Sequence, residues 1–562
     1  MTERRPTFGS RGRRPISAVA VLTAAAVLVV GGCTPPGLPP PQSPVASNSA
    51  GPTSATGSRT ITVGIDGPVN GFNPYAIADF SPAARAVDAL VLPSVSQVQA
   101  DGRAGFDDML VDSAMVTSSD PFTVTYQLDR NAAWSDGTPV TAEDFRYLQQ
   151  QMTAAVGTTG AAPYRSISGI RSLDAGKKVQ VVFRTPVRDW QTMFSPLLPA
   201  HILKDAPGGF NTALANGIPV SAGPYRVESV DKGTGLISLV RNDKYWGRQP
   251  GPASVVLRIG TGSELVAALE RGDVQALLFQ PGRAAAQRLG STVPVDRRLA
   301  VPVPASTQLV FDARSGPTAS AEVRAAVAHG LDPAAIADSL TASRRSGIRA
   351  VTSMVRLPAQ SGAPTGPLLQ PADGAAAGAE LRAAGYDTTG LYARKNSGPL
   401  RLLLGYPSSD QRLAGTARVV QRQLGAIGIE VDLLIDTPGA IIDRLSARQL
   451  DMALLTVPRG RSDAVAAASA FGCPSVDGGP RAGNVGGYCS AATEPALAAG
   501  LAGRRDVGAV DRPLWADHPV IPLGQPIAVF AVSAGLARVA ATNGPGWLWT
   551  GPLPNLPAWP VG

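Results

Sequence analysis

Residues 400–457 constrain the fold more than any other stretch. Leu400, Leu402, Leu403 and Leu404 form a short apolar strand. The next segment carries Leu413, Ala417, Val420, Leu424 and Ile427, spaced four, three, four and three, which places them on one helix face. Gly428 follows where a helix C-terminus takes a left-handed residue. Ile429, Val431, Leu433 and Ile435 then recur at every second position, a period-two strand. A second helix through Ile441, Ile442 and Leu445 leads to a strand from Met452 through Val457. Strand, helix, strand, helix, strand predicts a parallel sheet with right-handed crossovers. This part of the chain is α/β.

The N-terminus reads as an address. Arg4, Arg5, Arg11, Arg13 and Arg14 precede an uncharged run at 16–32 dominated by Ala, Val and Leu. A bilayer span needs roughly 20 apolar residues, so the run suits the apolar region of a signal peptide better. It stops at Val30-Gly31-Gly32-Cys33, and small residues before a cysteine resemble the bacterial lipobox. The resemblance implies cleavage before Cys33 and lipid attached to it. Residues 33–58 are rich in Pro, Ser, Ala, Thr and Gly and bury too little to fold, so they form a tether. The expected location is the outer face of the cell membrane, lipid-anchored and extracytoplasmic. That compartment permits a disulfide between Cys473 and Cys489, which flank a Gly/Pro/Asn-rich loop.

Charge and composition exclude several functions. The chain carries 50 Lys+Arg against 42 Asp+Glu, but residues 1–32 account for half of the +8 net charge. The remaining cations are dispersed among anions with no basic stripe, so no nucleic-acid partner is expected. The histidines (His201, His329, His518) and cysteines do not cluster, so no metal and no cofactor is expected. There is no G-x-S-x-G elbow, H-E-x-x-H or P-loop, and an enzyme is not expected.

The remaining motifs point to a family. Ile61, Val63 and Ile65 form a strand that ends in the loop Gly71-Phe72-Asn73-Pro74. Trp134-Ser135-Asp136-Gly137-Thr138-Pro139-Val140 is a turn, and Thr141-Ala142-Glu143-Asp144 then opens a helix buried through Phe145, Leu148 and Met152. Gly223-Pro224-Tyr225-Arg226-Val227, Arg241-Asn242-Asp243-Lys244-Tyr245-Trp246-Gly247, Ala268-Leu269-Glu270-Arg271-Gly272-Asp273-Val274 and Glu322-Val323-Arg324-Ala325-Ala326-Val327 follow in order. Together these resemble the family 5 extracytoplasmic solute-binding proteins of the oligopeptide- and dipeptide-binding type, from residue 59 to the C-terminus. Gly64-Ile65-Asp66, Gly71-Phe72-Asn73-Pro74, Leu198-Pro199-Ala200-His201-Ile202 and Gly472-Cys473-Pro474 are similar to a branch of actinobacterial envelope lipoproteins. That branch is associated with phosphatidylinositol mannoside handling, near the branch point leading to lipomannan and lipoarabinomannan.

The resemblance implies an α/β, two-lobe periplasmic-binding-protein-like fold with an extra subdomain, closing on a hinge around a cleft. The expected organisation is a lipoprotein signal peptide at 1–32 and the tether at 33–58. Lobe I is expected from 59–98, 220–305 and 516–562, with a subdomain at 99–219, and lobe II at 306–515. The implied partners are a small amphiphilic or peptide ligand, the membrane through the lipid anchor, and an ABC permease or an envelope glycosyltransferase.

In α/β sheets the ligand sits beyond the carboxyl ends of strands. That selects Phe72 and Asn73 after the first strand, Tyr406 after the strand at 400–404, and Arg459, Arg461 and Asp463 after the strand at 452–457. Trp547 and Trp549 are candidate sugar or acyl platforms. Peptide-binding members carry an acid in this region that pairs with a peptide's amino terminus, and Asp463 could serve. Arg459 and Arg461, however, suit a phosphate or carboxylate better. Each residue also has a plainer reading: a turn-forming Asn, a packed Tyr, core tryptophans, solvated arginines.

Overall fold

The thirteen residues Val520–Val532 form one strand buried at every position. An uncharged, mostly apolar run of this kind is what a central strand covered on both faces requires. In the computed structural model this strand joins the two lobes. Its first part pairs antiparallel with Ala305–Phe311, and its second with Ala276–Phe279 and Arg298–Pro302. The structure describes residues 60–560, apart from 100, 343–344, 366–368, 397, 475–481 and 543. Cys33, the signal peptide and the tether lie outside the described residues.

The sheet runs in the order Glu430–Asp436, Arg401–Pro407, Met452–Pro458, Ala305–Phe311, Val520–Val532, Ala276–Phe279, Thr60–Ile65, Ser254–Ile259, Leu236–Arg241 and Tyr225–Asp231. Arg401–Pro407 is parallel to both neighbours, as the alternation of strand and helix demands. The sheet as a whole is mixed, because Ala305–Phe311 and the shared strand run antiparallel. Helix Gln411–Ala426 buries Leu413, Ala417, Val420 and Leu424, and Gly428 takes a φ of +82°. The fold is α/β, with one mixed sheet running through both lobes.

The shared strand separates two faces. Ala528, Phe530 and Val532 pack into the core that holds Trp547 and Trp559. Val529 and Ala531 face Leu265 and Leu289 on helices Gly262–Arg271 and Arg283–Thr292. A separate antiparallel sheet, Val111–Ser119, Phe122–Leu128, Lys178–Phe183 and Ile167–Leu173, carries helix Ala142–Ala154. Thr141 and Asp144 form that helix's capping box, with the Thr141 N–H donating to Asp144 Oδ2 at 2.9 Å. Among the described residues no helix is long and apolar enough to cross a membrane.

Cys473 and Cys489 are bonded, 16 residues apart in sequence. Cys473 N–H donates to Glu494 Oε2 at 2.7 Å, which ties the bridge to helix Glu494–Leu501. Closing a loop of this size contributes about 3 kcal/mol in the chain-entropy account. Cys473→Ser with Cys489→Ser is therefore expected to lower unfolding free energy by about that amount in urea titration. Unchanged stability would show that the bridge constrains nothing.

Candidate functional site

A cleft of about 620 Å³ opens between the lobes. It lies on the Phe530 and Trp547 face of the shared strand. The first lobe supplies Tyr75, Arg85, Trp547 and Trp549, and the second supplies Arg459, Arg461 and Ser462. Among its described lining residues four are arginines (Arg85, Arg248, Arg459, Arg461) and one, Asp107, is acidic. The charged side chains that line it are mostly cationic.

Arg459 sits just past strand Met452–Pro458. Its backbone N–H donates to Pro304 O at 2.8 Å, and Nη2 donates to Met354 O at 2.7 Å. Nη1 is enclosed with no partner among the described residues. Burial pulls the guanidinium's pKa down, opposed by Asp463 and Asp511. Arg461 donates from Nη2 to Gly102 O at 2.7 Å, and its Nε is enclosed and unpartnered. An unmet buried donor on a charged group is costly, and an anion reaching either atom would relieve that cost.

Asp463 is placed differently. Its Oδ2 accepts from Arg356 Nε at 2.9 Å and its Oδ1 from Gln360 Nε2 at 2.8 Å. Both carboxylate oxygens are engaged inside the second lobe, and Asp463 is not among the lining residues. Trp547 is buried and meets Phe530 edge-on at 5.5 Å. Trp549 is half-exposed in the cleft, and its carbonyl accepts from Arg85 Nη2.

Three expectations are corrected. Phe72 is fully buried in the first lobe's core. The Asn73 side chain is used locally, donating from Nδ2 to Phe210 O at 2.7 Å and accepting from Tyr75 N–H at 3.0 Å. The loop offers Pro74 and Tyr75 to the cleft in their place. Tyr406 lies inside strand Arg401–Pro407, which runs past the expected end at Leu404, and its ring packs in the second lobe's core.

Sequence reasoning missed Arg85 and Tyr75. Arg85 stands within helix Pro82–Val91, whose other residues are mostly buried. An arginine inside such an apolar helix was the available signal. Its guanidinium lies 5.8 Å over the Phe80 ring. Burial, partly offset by Asp88, pulls its pKa to about 10, so it stays charged.

Beneath the cleft, burial pushes the Asp79 carboxyl up to about 6, against the lowering effect of the Asn73 N–H and Lys232. The folded state then holds the proton more tightly than the unfolded chain. The resulting stability is fully present below about pH 4 and is lost as pH rises through about 6. Asp79→Asn is expected to remove about 3 kcal/mol of pH dependence over that window, read from urea midpoints at successive pH values. An unaltered slope would contradict it.

Residues 107–478 match the family described as bacterial extracellular solute-binding proteins, family 5 Middle. The chain is 32% identical over 500 residues to the probable monoacyl phosphatidylinositol tetramannoside-binding protein LpqW of Mycobacterium tuberculosis, covering 83% of this chain and 78% of that one. It is 27% identical over 490 residues to the oligopeptide-binding protein OppA of the same species, covering 84% and 80%. Among solved structures, AgaA of A. tumefaciens R10 with agropinic acid superposes at a TM-score of 0.70 with 20% identity. AppA of Bacillus subtilis with a nonapeptide superposes at 0.69 with 16% identity. Each superposition covers 90% of this chain and 99% of the other, and shows the shared fold. The chain therefore belongs to family 5 of the bacterial extracellular solute-binding proteins.

Proposed function

We propose that this chain is a membrane-anchored extracytoplasmic solute-binding lipoprotein whose cleft takes the phosphorylated head group of an envelope glycolipid, of the phosphatidylinositol mannoside type. The observation that carries the reading is the charge of the cleft: four arginines face one carboxylate, and Arg459 and Arg461 each hold an enclosed unpartnered donor. A phosphodiester gains charge-assisted hydrogen bonds there. A peptide ammonium meets the wrong field, and the Asp463 carboxylate that could hold it is engaged by Arg356 and Gln360.

The half-exposed indole of Trp549 gives a sugar ring a flat apolar face. About 620 Å³ falls within the ~300–1,000 Å³ of small-ligand sites, which suits a head group with its acyl chains left outside. The likeness to LpqW, a probable monoacyl phosphatidylinositol tetramannoside-binding protein, supports the same ligand class. Lobe I is taken as 59–98, 220–305 and 516–562 with the subdomain 99–219, and lobe II as 306–515. Ligand contact with both lobes favours the closed state by its differential affinity. The lipid on Cys33 holds the protein at the membrane, beside an ABC permease or an envelope glycosyltransferase.

The likeness to OppA favours a second reading, peptide uptake through an importer. Native mass spectrometry of protein purified from its own host separates the two. A retained phosphoglycolipid mass is expected, and a ladder of peptide masses would overturn the proposal.

A further inference from the structure

The protein meets itself across the cleft. Residues 102–189 of the subdomain touch residues 442–501 of the second lobe through both apolar packing, where Ala162 meets the Ile442 and Phe471 cluster, and hydrogen bonds. Ser462 Oγ donates to Asp189 Oδ2 at 2.5 Å. Arg461 Nη2 donates to Gly102 O at 2.7 Å; burial lowers its pKa, and Asp189 and Asp101 oppose that lowering. Backbone amides add to these. Gly157 and Thr158 N–H both donate to Ala482 O, at 2.7 and 3.1 Å. Ala162 N–H donates to Ser469 Oγ at 3.0 Å, and Arg188 N–H donates to Leu501 O at 3.0 Å.

The packing is close as well as polar. A Cβ on Gly157 would come within 2.8 Å of Ile442 Cγ2, and one on Gly483 within 2.9 Å of Thr158 O. Ser462 makes the link directional. Its Oγ accepts from Val465 N–H as the cap of helix Asp463–Phe471 while donating to Asp189. The Asp189 carboxylate thus lies at the positive end of a nine-residue helix in the opposite lobe.

We propose that the chain carries its own clasp: Ser462 and Arg461 of the second lobe grip Asp189 and Gly102 of the subdomain, and hold the cleft closed before any ligand arrives. Ligand entry then requires the clasp to part, so the open, binding-competent fraction sets the apparent affinity and the rate of exchange. The two arginines at the cleft divide their work. Arg459 keeps Nη1 for the ligand, while Arg461 spends Nη2 on closure. The clasp concerns the chain alone and holds whichever ligand class the cleft takes.

Hydrogen–deuterium exchange of the full chain without added ligand tests this. The amides of Gly157, Thr158, Ala162 and Arg188 are donors across the join, so they report its opening directly. In the wild type they are expected to be protected. Ser462→Ala and Asp189→Ala should each speed their exchange by about tenfold, as loss of one charge-assisted hydrogen bond implies. The double variant should exchange no faster than the faster single one, because both remove the same bond. Amides of strand Arg401–Pro407 must stay protected in each variant, which shows that the fold persists. Where a variant unfolds, the wild-type measurement alone decides. Free exchange at these four amides in the ligand-free wild type would overturn the proposal. So would unchanged exchange in folded variants.

Discussion

Arg459→Ala is expected to weaken binding of a phosphatidylinositol mannoside by about one to two orders of magnitude in calorimetric titration. A hydrogen bond to a charged group contributes roughly 1.5–3 kcal/mol, and 1.4 kcal/mol is tenfold in affinity. The site is specific about which atom matters. Nη2 and the backbone N–H of Arg459 are already held by Met354 O and Pro304 O, so the guanidinium is positioned, and Nη1 is the enclosed donor that lacks a partner. Arg459→Lys should recover little, because one ammonium cannot hold Met354 O and present a second fixed donor. Arg461→Ala should cost less ligand affinity, since its Nη2 is committed to Gly102 O. Equal affinity in wild type and Arg459→Ala would remove Arg459 from the site.

Cys33→Ala is expected to move the protein almost wholly from the membrane fraction to the aqueous phase. The cysteine ends the apolar run at 16–32, where the lipobox resemblance places the acyl chains. Each buried CH₂ contributes about 0.8 kcal/mol, and stable anchoring takes more than one signal, so on the proposed lipidation of Cys33 its loss would remove the anchor outright. Residues 33–58 are rich in Pro, Ser, Ala, Thr and Gly and carry no second long apolar run. Detergent-phase partitioning of the two proteins reads the effect. Partitioning unchanged by the substitution would show that something other than Cys33 holds the chain at the membrane.

The second lobe was legible because its signals are periodic. Leu413, Ala417, Val420 and Leu424 share a helix face for any partner the helix packs against, and they are buried as that spacing requires. Strand ends were less legible. Gly405 interrupts the apolar run after Leu404, yet the ladder continues to Pro407 because Gly405 and Tyr406 still pair with Leu434 and Ile435. Tyr406 therefore turned inward.

Site residues depended on partners distant in sequence. Arg356 engages Asp463 from 107 positions away, and no local pattern links them. Asn73 carried a correct signal for a turn, and its hydrogen bonds to Phe210 O and the Tyr75 N–H leave it no role in the cleft. The arginines after Met452–Pro458 were found by the rule that ligands gather beyond strand ends. Arg85 was not, since a helix reaches the cleft only through the packing of the first lobe.

The most direct test of the account is a titration of the ligand-free wild-type protein with a monoacyl phosphatidylinositol mannoside and, separately, with oligopeptides. The account predicts saturable one-to-one binding of the glycolipid, weakened in Arg459→Ala and unaffected in Asp463→Asn, with no measurable peptide binding. Tight peptide binding that survives Arg459→Ala and is lost in Asp463→Asn would contradict it.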